Sequence, residues 1–286
     1  MTNPRRALSV VPTLLALLAA SPSHGAVTDV VVPSVAVTRV DEAKPFSIEL
    51  HDAPSVVGEL GAGEGVVLSV DIGTLTLAAT AGLTVTDPDG DGSVAFSGSA
   101  AAINAALDGL IYTPAAGWAG IAVATLAVSG GSGLSASWRI AVNAPLDADA
   151  ARATVMAGVT EIHSGVQPGL MVAHGSEAYD VAFYPGGAAS GPMIAAASWG
   201  AGRVLATADH QILNMDAYGD VSGAFYRNAL AWLADSDAKD IAIVTLSDGV
   251  ATWLAGDGYT NVTLTDQAGL ADALIGAAVL VPPWWG

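Results

Sequence analysis

Along the first half of the chain, apolar and polar residues alternate in short runs broken by Gly, Asp and Ser. VVLSVDIGTLTLA (66–78), LTVT (83–86), SVAFSG (93–98), IAVATLAVSG (121–130) and SASWRIAVN (135–143) all read this way. A period of two buries one face of a strand, and strands spaced this closely in antiparallel style predict a β-sandwich over about 26–143. One segment breaks the period. In SAAAINAALDGL (99–110), Ala101, Ile103, Ala106, Leu107 and Leu110 recur near 3.6 residues, with Ser99 placed to cap a helix and Gly109 to stop it.

The texture changes after about 150. GLMVAHG (169–175), YDVAFYPGG (179–187), PMIAAASWG (192–200) and GRVLATAD (202–209) read as strands. SGAFYRNALAWLADS (222–236) reads as an amphipathic helix with Phe225, Ala229, Trp232 and Leu233 on one face and Ser222 as its cap. DIAIVTL, GVATWLAGDG, TNVTLTD, QAGLADALIG and AAVLVPPW then alternate strand and helix to the end. Continuous apolar strands between helices predict a parallel sheet in a three-layer α/β domain of the flavodoxin type over 155–286. That sheet would be completed by the earlier strands or by chain beyond Gly286. NAPLDADAARA supplies Pro and acidic residues between the halves, so 144–154 reads as a linker. The expected fold is therefore multidomain, all-β followed by α/β.

The N-terminus alters the picture of where the protein works. Arg5 and Arg6 precede an apolar stretch at 8–20, and Ser23 and Gly25 offer small residues before Ala26. This pattern predicts a signal peptide over 1–25, and the apolar stretch is too short to span a bilayer. The expected location is secreted, periplasmic or at the cell surface, with no membrane insertion once the leader is removed. There is no cysteine among the 286 residues, which excludes thiol nucleophiles, thiolate metal sites and disulfides and points to a bacterial exported protein. The net charge of −18, from 27 acidic and 9 basic residues, argues against a nucleic-acid partner, because little is present to neutralise phosphates.

Candidate chemistry is sparse. LTVTDPDGDGSVAFSG places Asp87, Asp89 and Asp91 at alternate positions. An EF-hand needs Glu at the twelfth loop position, which is Gly98 here, so this is no EF-hand. Two readings remain open. The three carboxylates converge on calcium, with Glu42, Asp52 or Glu64 as supplements, or the stretch is a solvated turn. The other polar pair is Asp209-His210, at the C-terminal end of a predicted parallel strand, where α/β sites form. His210 would act there as base or ligand beside His174 or Asp216. Alternatively Asp209 and Asn214 cap a turn. The tail PPWWG (282–286) offers either a carbohydrate-stacking surface or a cover for a core edge. There is no His-Glu-x-x-His, Gly-x-Ser-x-Gly or Walker motif.

Two resemblances add expectations. Residues 73–120, with GTLTL, INAALDGLIYTP and the turn Gly117-Trp118-Ala119-Gly120, resemble a bacterial cadherin-like repeat of exported surface proteins. That resemblance implies an immunoglobulin-like sandwich serving as a spacer or adhesion module. Residues 195–215 (AAASWGAGRVLATADHQILNM) and 225–234 (FYRNALAWLA) resemble the class I glutamine-amidotransferase-like superfamily, whose enzymes use a Cys nucleophile that this chain lacks. Together these imply an extracellular structural or binding protein without a complete catalytic site, with an extracellular protein or a glycan as partner. The alternative is the accessory N-terminal region of a longer secreted hydrolase, such as an enhancin-like metallopeptidase.

Overall fold

The structure, a computed structural model, describes residues 27–87, 91–130, 132–163, 171–173, 178–184 and 191–281. The leader at 1–25 and the PPWWG tail lie outside these residues. The described chain is rich in strand and contains a β-sandwich; the helices are few.

The N-terminal region is built from β1 (Asp29–Val31), β2 (Val35–Arg39), β3 (Lys44–Pro45), β4 (Ser55–Val57), β5 (Gly65–Val70), β6 (Thr74–Thr76), β7 (Leu83–Asp87), β8 (Ser93–Gly98), α1 (Ala100–Leu107), β9 (Ile111–Thr113), β10 (Gly120–Ser129) and β11 (Ser135–Asn143). Six strands form one sheet in the order β2-β11-β10-β5-β8-β7, opposed by the small sheets β3-β9-β6 and β1-β4. Strict alternation explains the layering. In β5 Val66, Leu68 and Val70 point inward. Ala122, Ala124, Leu126 and Val128 do so in β10. They meet Phe46, Leu75 and Tyr112 from the opposite side, and the Phe46 and Trp138 rings pack edge to face at 5.9 Å. Helix α1 closes the end of the sandwich with Ile103, Ala106 and Leu107 buried. Its Ser99 side chain accepts from the Ala102 backbone N–H, and Gly109 turns the chain away at φ +90°. Ala101 faces solvent and Ala100 faces the core, one position off the expected stripe. One pairing was not legible in the alternation: β2 runs parallel to β11, from Val35 opposite Arg139 to Arg39 opposite Asn143.

The C-terminal region differs from the expected α/β domain. It comprises α2 (Ala148–Val155), β12 (Ala178–Tyr184), β13 (Gly191–Trp199), β14 (Gly202–Thr207), α3 (Met215–Ala234), β15 (Ile243–Thr245), α4 (Asp248–Gly256), β16 (Val262–Leu264), α5 (Leu270–Ala273) and β17 (Val279–Val281). β12, β13 and β14 form their own antiparallel sheet. Only β16-β15-β17 is parallel, and its strands are three residues long. The earlier strands do not extend it, so a continuous doubly wound sheet is not what the chain builds. The reason lies in the connections. A two-residue hairpin, Gly200-Ala201, joins β13 to β14, and a tight hairpin forces antiparallel pairing. α3 carries the region's core, with Phe225, Tyr226, Ala229, Leu230 and Trp232 buried.

Two local expectations are corrected. The 144–154 linker is largely helix α2: Asp147 accepts from the Asp149 and Ala150 backbone N–H groups, and Ala151 and Val155 are buried in the second core. Ser222 does not cap α3. It lies inside the helix, fully buried, where its Oγ accepts from the His163 backbone N–H at 2.9 Å.

Candidate functional site

Asp209 is almost fully buried, with 5% of its surface exposed. It follows β14, which is antiparallel rather than the parallel strand expected, so the usual argument for a site at parallel strand ends does not apply. Its Oδ1 accepts from the Gln211 backbone N–H at 2.9 Å, and its carbonyl accepts from the Thr207 hydroxyl at 3.2 Å. It thereby caps a single 3-10 turn, His210–Leu213, while the Asn214 backbone N–H closes the other end on the Gln211 carbonyl. One carboxylate oxygen thus helps to hold this turn. The side chains of His210 and Asp216, and all of His174, lie outside the described residues.

In the acidic turn the two described carboxylates differ in their surroundings. Asp87 ends β7 in the open, beyond a bulge between Val85 and Asp87. Asp91 Oδ1 accepts from the Ser93 N–H at 2.8 Å, and its carbonyl accepts from Leu75 N–H at 3.1 Å. Asp89 lies outside the described residues, and among those described no group of three His, Asp or Glu side chains is placed to hold a metal ion. The proposed supplements are used elsewhere. Asp52 pairs with Lys44 and accepts from Ser47 N–H, Glu64 accepts from Gly61 N–H, and Glu42 faces Arg39.

A different surface emerges where the two regions touch. The hairpin between β13 and β14 lies against the outer face of the six-stranded sheet. Gly200 N–H donates to Asn143 Oδ1 at 2.7 Å, and Ala144 N–H donates to the Gly200 carbonyl at 2.9 Å. Gly200 takes φ +60°, and a Cβ there would stand 3.0 Å from the Gly120 carbonyl oxygen, so glycine alone fits without displacement. This clamp holds Trp199 beside Ser34, Val35, Ile121 and Arg139, and the five line a groove of about 490 Å³. Trp199 is 44% exposed, Val35 39% and Ile121 37%.

Arg139 gives the groove its charge. The other basic residues of the described chain face carboxylates: Arg39 with Glu42, Lys44 with Asp52, Arg152 with Asp149, Arg203 with Asp235, and Arg227 and Lys239 both with Asp257. Arg139 has no carboxylate or hydrogen-bonding partner among the described residues. It projects from β11 between Val35 of β2 and Val123 of β10. The sequence carried one signal for it: an outward Arg in the alternating run SASWRIAVN, in a chain with three acids for every base. The groove itself was invisible there, because its residues lie far apart in the chain.

Residues 132–270 match the family model described as "TRPM8, N-terminal domain", also termed the TCAF N-terminal family. The match runs from just before β11 to the start of α5, a little under half of the chain, and includes both Arg139 and Trp199. No curated protein matches the chain. The match overturns both resemblances drawn from the sequence: the family found is eukaryotic, neither a bacterial cadherin-like repeat nor an amidotransferase-like domain. The misleading marks have plain local causes. GTLTL and INAALDGLIYTP record a strand, a capped helix and a strand that close a sandwich. The Gly-rich turn, the Asp-His turn and the Asn-x-x-x-Trp-Leu helix record a hairpin, a 3-10 turn and α3. Such pieces recur in many folds.

Proposed function

We propose that the chain is an exported structural or binding protein that works outside the cell, holding a partner rather than transforming it. One observation carries this reading. The solvent-facing groove at the junction of the two regions combines an exposed indole, apolar side chains and an arginine unpaired among the described residues. Exposed apolar groups with one directed charge are what recognition surfaces present. Export rests on the positively charged, apolar and small-residue pattern of the first 25 residues. No described helix is long and apolar enough to cross a membrane.

The test is direct. The purified chain, incubated with glutamine, casein and a panel of glycosides, is expected to bind reversibly and turn over nothing. Turnover that survives rigorous purification and disappears in Asp209→Asn would overturn the reading. N-terminal sequencing of secreted material is expected to begin within a few residues of Ala26.

A second reading, an accessory region of a longer secreted hydrolase, is favoured by a separate apolar groove of about 330 Å³. It is lined by Leu205 and Thr207 of β14, Phe225 and Leu233 of α3, and Val281 of β17. Among the described residues β14 and β17 are outer strands of their sheets, and an added strand would pair along such an edge. Reading the gene beyond Gly286 distinguishes the two: a zinc-binding motif downstream would favour the hydrolase.

A further inference from the structure

We propose that the groove around Arg139 and Trp199 binds a sugar that carries a carboxylate, of the hexuronic acid class. This rests on the binding reading above and assigns its ligand.

Arg139 sits on β11, an inner strand whose backbone groups are shared between β2 and β10, while β2, which brings Val35 to the groove, is the outer strand of the sheet. An extended peptide recognised through its backbone would add beside β2, on the far side of that strand from Arg139. A pyranose needs no strand edge. Its apolar C–H face packs on a flat indole, which Trp199 presents, with Val35 and Ile121 alongside. A carboxylate at C5 of the ring then meets Arg139, whose planar guanidinium holds both oxygens by two parallel hydrogen bonds. Ser34, exposed at the rim, supplies a hydroxyl to a ring hydroxyl. The volume suits one or two sugar rings.

Charge and rigidity both favour this occupant. Among the described residues Arg139 is the basic side chain left without an internal carboxylate, so an external one completes the pattern. The rest of the protein is strongly acidic, which repels long polyanions and selects a short or terminal acidic sugar. The Asn143–Gly200 clamp fixes Trp199 before any ligand arrives, which lowers the ordering cost of binding.

Isothermal titration with methyl β-glucuronide, and with methyl β-glucoside as the uncharged control, tests the proposal on the full chain. The glucuronide is expected to bind about tenfold or more tightly than the glucoside, the worth of a charge-assisted hydrogen bond. Arg139→Gln should erase that preference, and Arg139→Lys should restore part of it through charge without the fork. Trp199→Ala should weaken both sugars together, and thermal melts check that each variant is folded. Binding should weaken as salt rises. Equal affinity for the two sugars, an unchanged preference in Arg139→Gln, or no binding of the glucuronide overturns the proposal. If an acetylated, amidated Glu-Glu peptide binds in place of the glucuronide and depends on Arg139, the sugar assignment falls while the binding reading stands. Turnover of the glucuronide would overturn the binding reading itself.

Discussion

In the N-terminal region the fully buried aromatics Phe46, Phe96, Tyr112 and Trp138 come from separate segments of facing sheets, whereas in the C-terminal region the fully buried pair Phe225 and Tyr226 sits on α3, which also buries Trp232. The first core is shared among many strands, from single inward residues such as Val56 in β4 and Leu75 in β6 to four in β10. The second hangs on one helix, to which α2, α4 and β14 attach. The difference shows in the charges too. In the C-terminal region ion pairs pin the helix ends: Arg203 donates to the Trp232 carbonyl, pairs with Asp235 and stacks over the Trp232 ring. Arg227 and Lys239 converge on Asp257 beyond α4. A helix lacking basic residues in its own last turn thus borrows one from a neighbouring strand to meet its orphan carbonyls.

The largest expected effects separate the two cores. Trp138→Ala should cost about 3–5 kcal/mol, as should Phe225→Ala. In hydrogen exchange Trp138→Ala should deprotect 27–143 first, and Phe225→Ala should deprotect the C-terminal region first. Simultaneous loss in both regions from either variant would show one cooperative core and break the comparison. Arg203→Met comes next. It leaves a carbonyl and Asp235 unpaired and should cost about 1–3 kcal/mol in denaturant melts, confined to the C-terminal region.

Opposite ends of the pH scale should trouble different regions. Burial, with Asp71 nearby, pushes the Tyr112 phenol up to about 12, so native Tyr112 keeps its proton where the unfolded chain has lost it. This contribution to stability is fully present below the ordinary phenol value of about 10 and is lost as pH rises from there through about 12. Tyr112→Phe should flatten the alkaline loss at little cost, since the hydroxyl has no partner among the described residues. Burial alone would raise Asp257, but its hydrogen bonds and charge contacts with Lys239 and Arg227 outweigh this and lower it. Its contribution is present above about pH 4 and is lost as pH falls through the lowered value. Asp257→Asn should therefore remove acid sensitivity from the C-terminal region alone. Melting curves from pH 2 to 11 check both arms.

The smallest expected effect concerns calcium. Asp91 serves the Ser93 backbone N–H and Asp87 stands in the open, so millimolar calcium should move the melting temperature by no more than about a degree for a site this weakly occupied. A rise of several degrees, abolished by Asp89→Asn, would instead make the acidic turn a metal site.

Much of the N-terminal region was legible because inward residues alternate strictly and Ser99 marks α1. Its sheet order was not, since alternation says which face is buried and nothing about which strand lies alongside; the parallel β2–β11 pair is the example. α2 went unread because only Ala151 and Val155 face the core, too few for a visible stripe, although Asp147 stood ready as its cap. The parallel strands β15, β16 and β17 were recognised as strands, but a run of three apolar residues does not reveal how many partners it has. Asp209 was visible as a polar pair with His210, and its cap role followed from local chemistry. Arg139 and Trp199 meet beside the Asn143–Gly200 clamp, a contact between distant segments.

One measurement tests both that clamp and the groove it holds. Indole N–H resonances of the full chain, with Trp199 assigned through Trp199→Phe, are followed while methyl β-glucuronide is added. The Trp199 resonance is expected to shift with saturation while the other indole resonances stay in place, and Gly200→Ala, strained at φ +60°, should weaken the response by about three- to tenfold. A Trp199 resonance that stays still while another moves, or no response at all, would contradict that expectation.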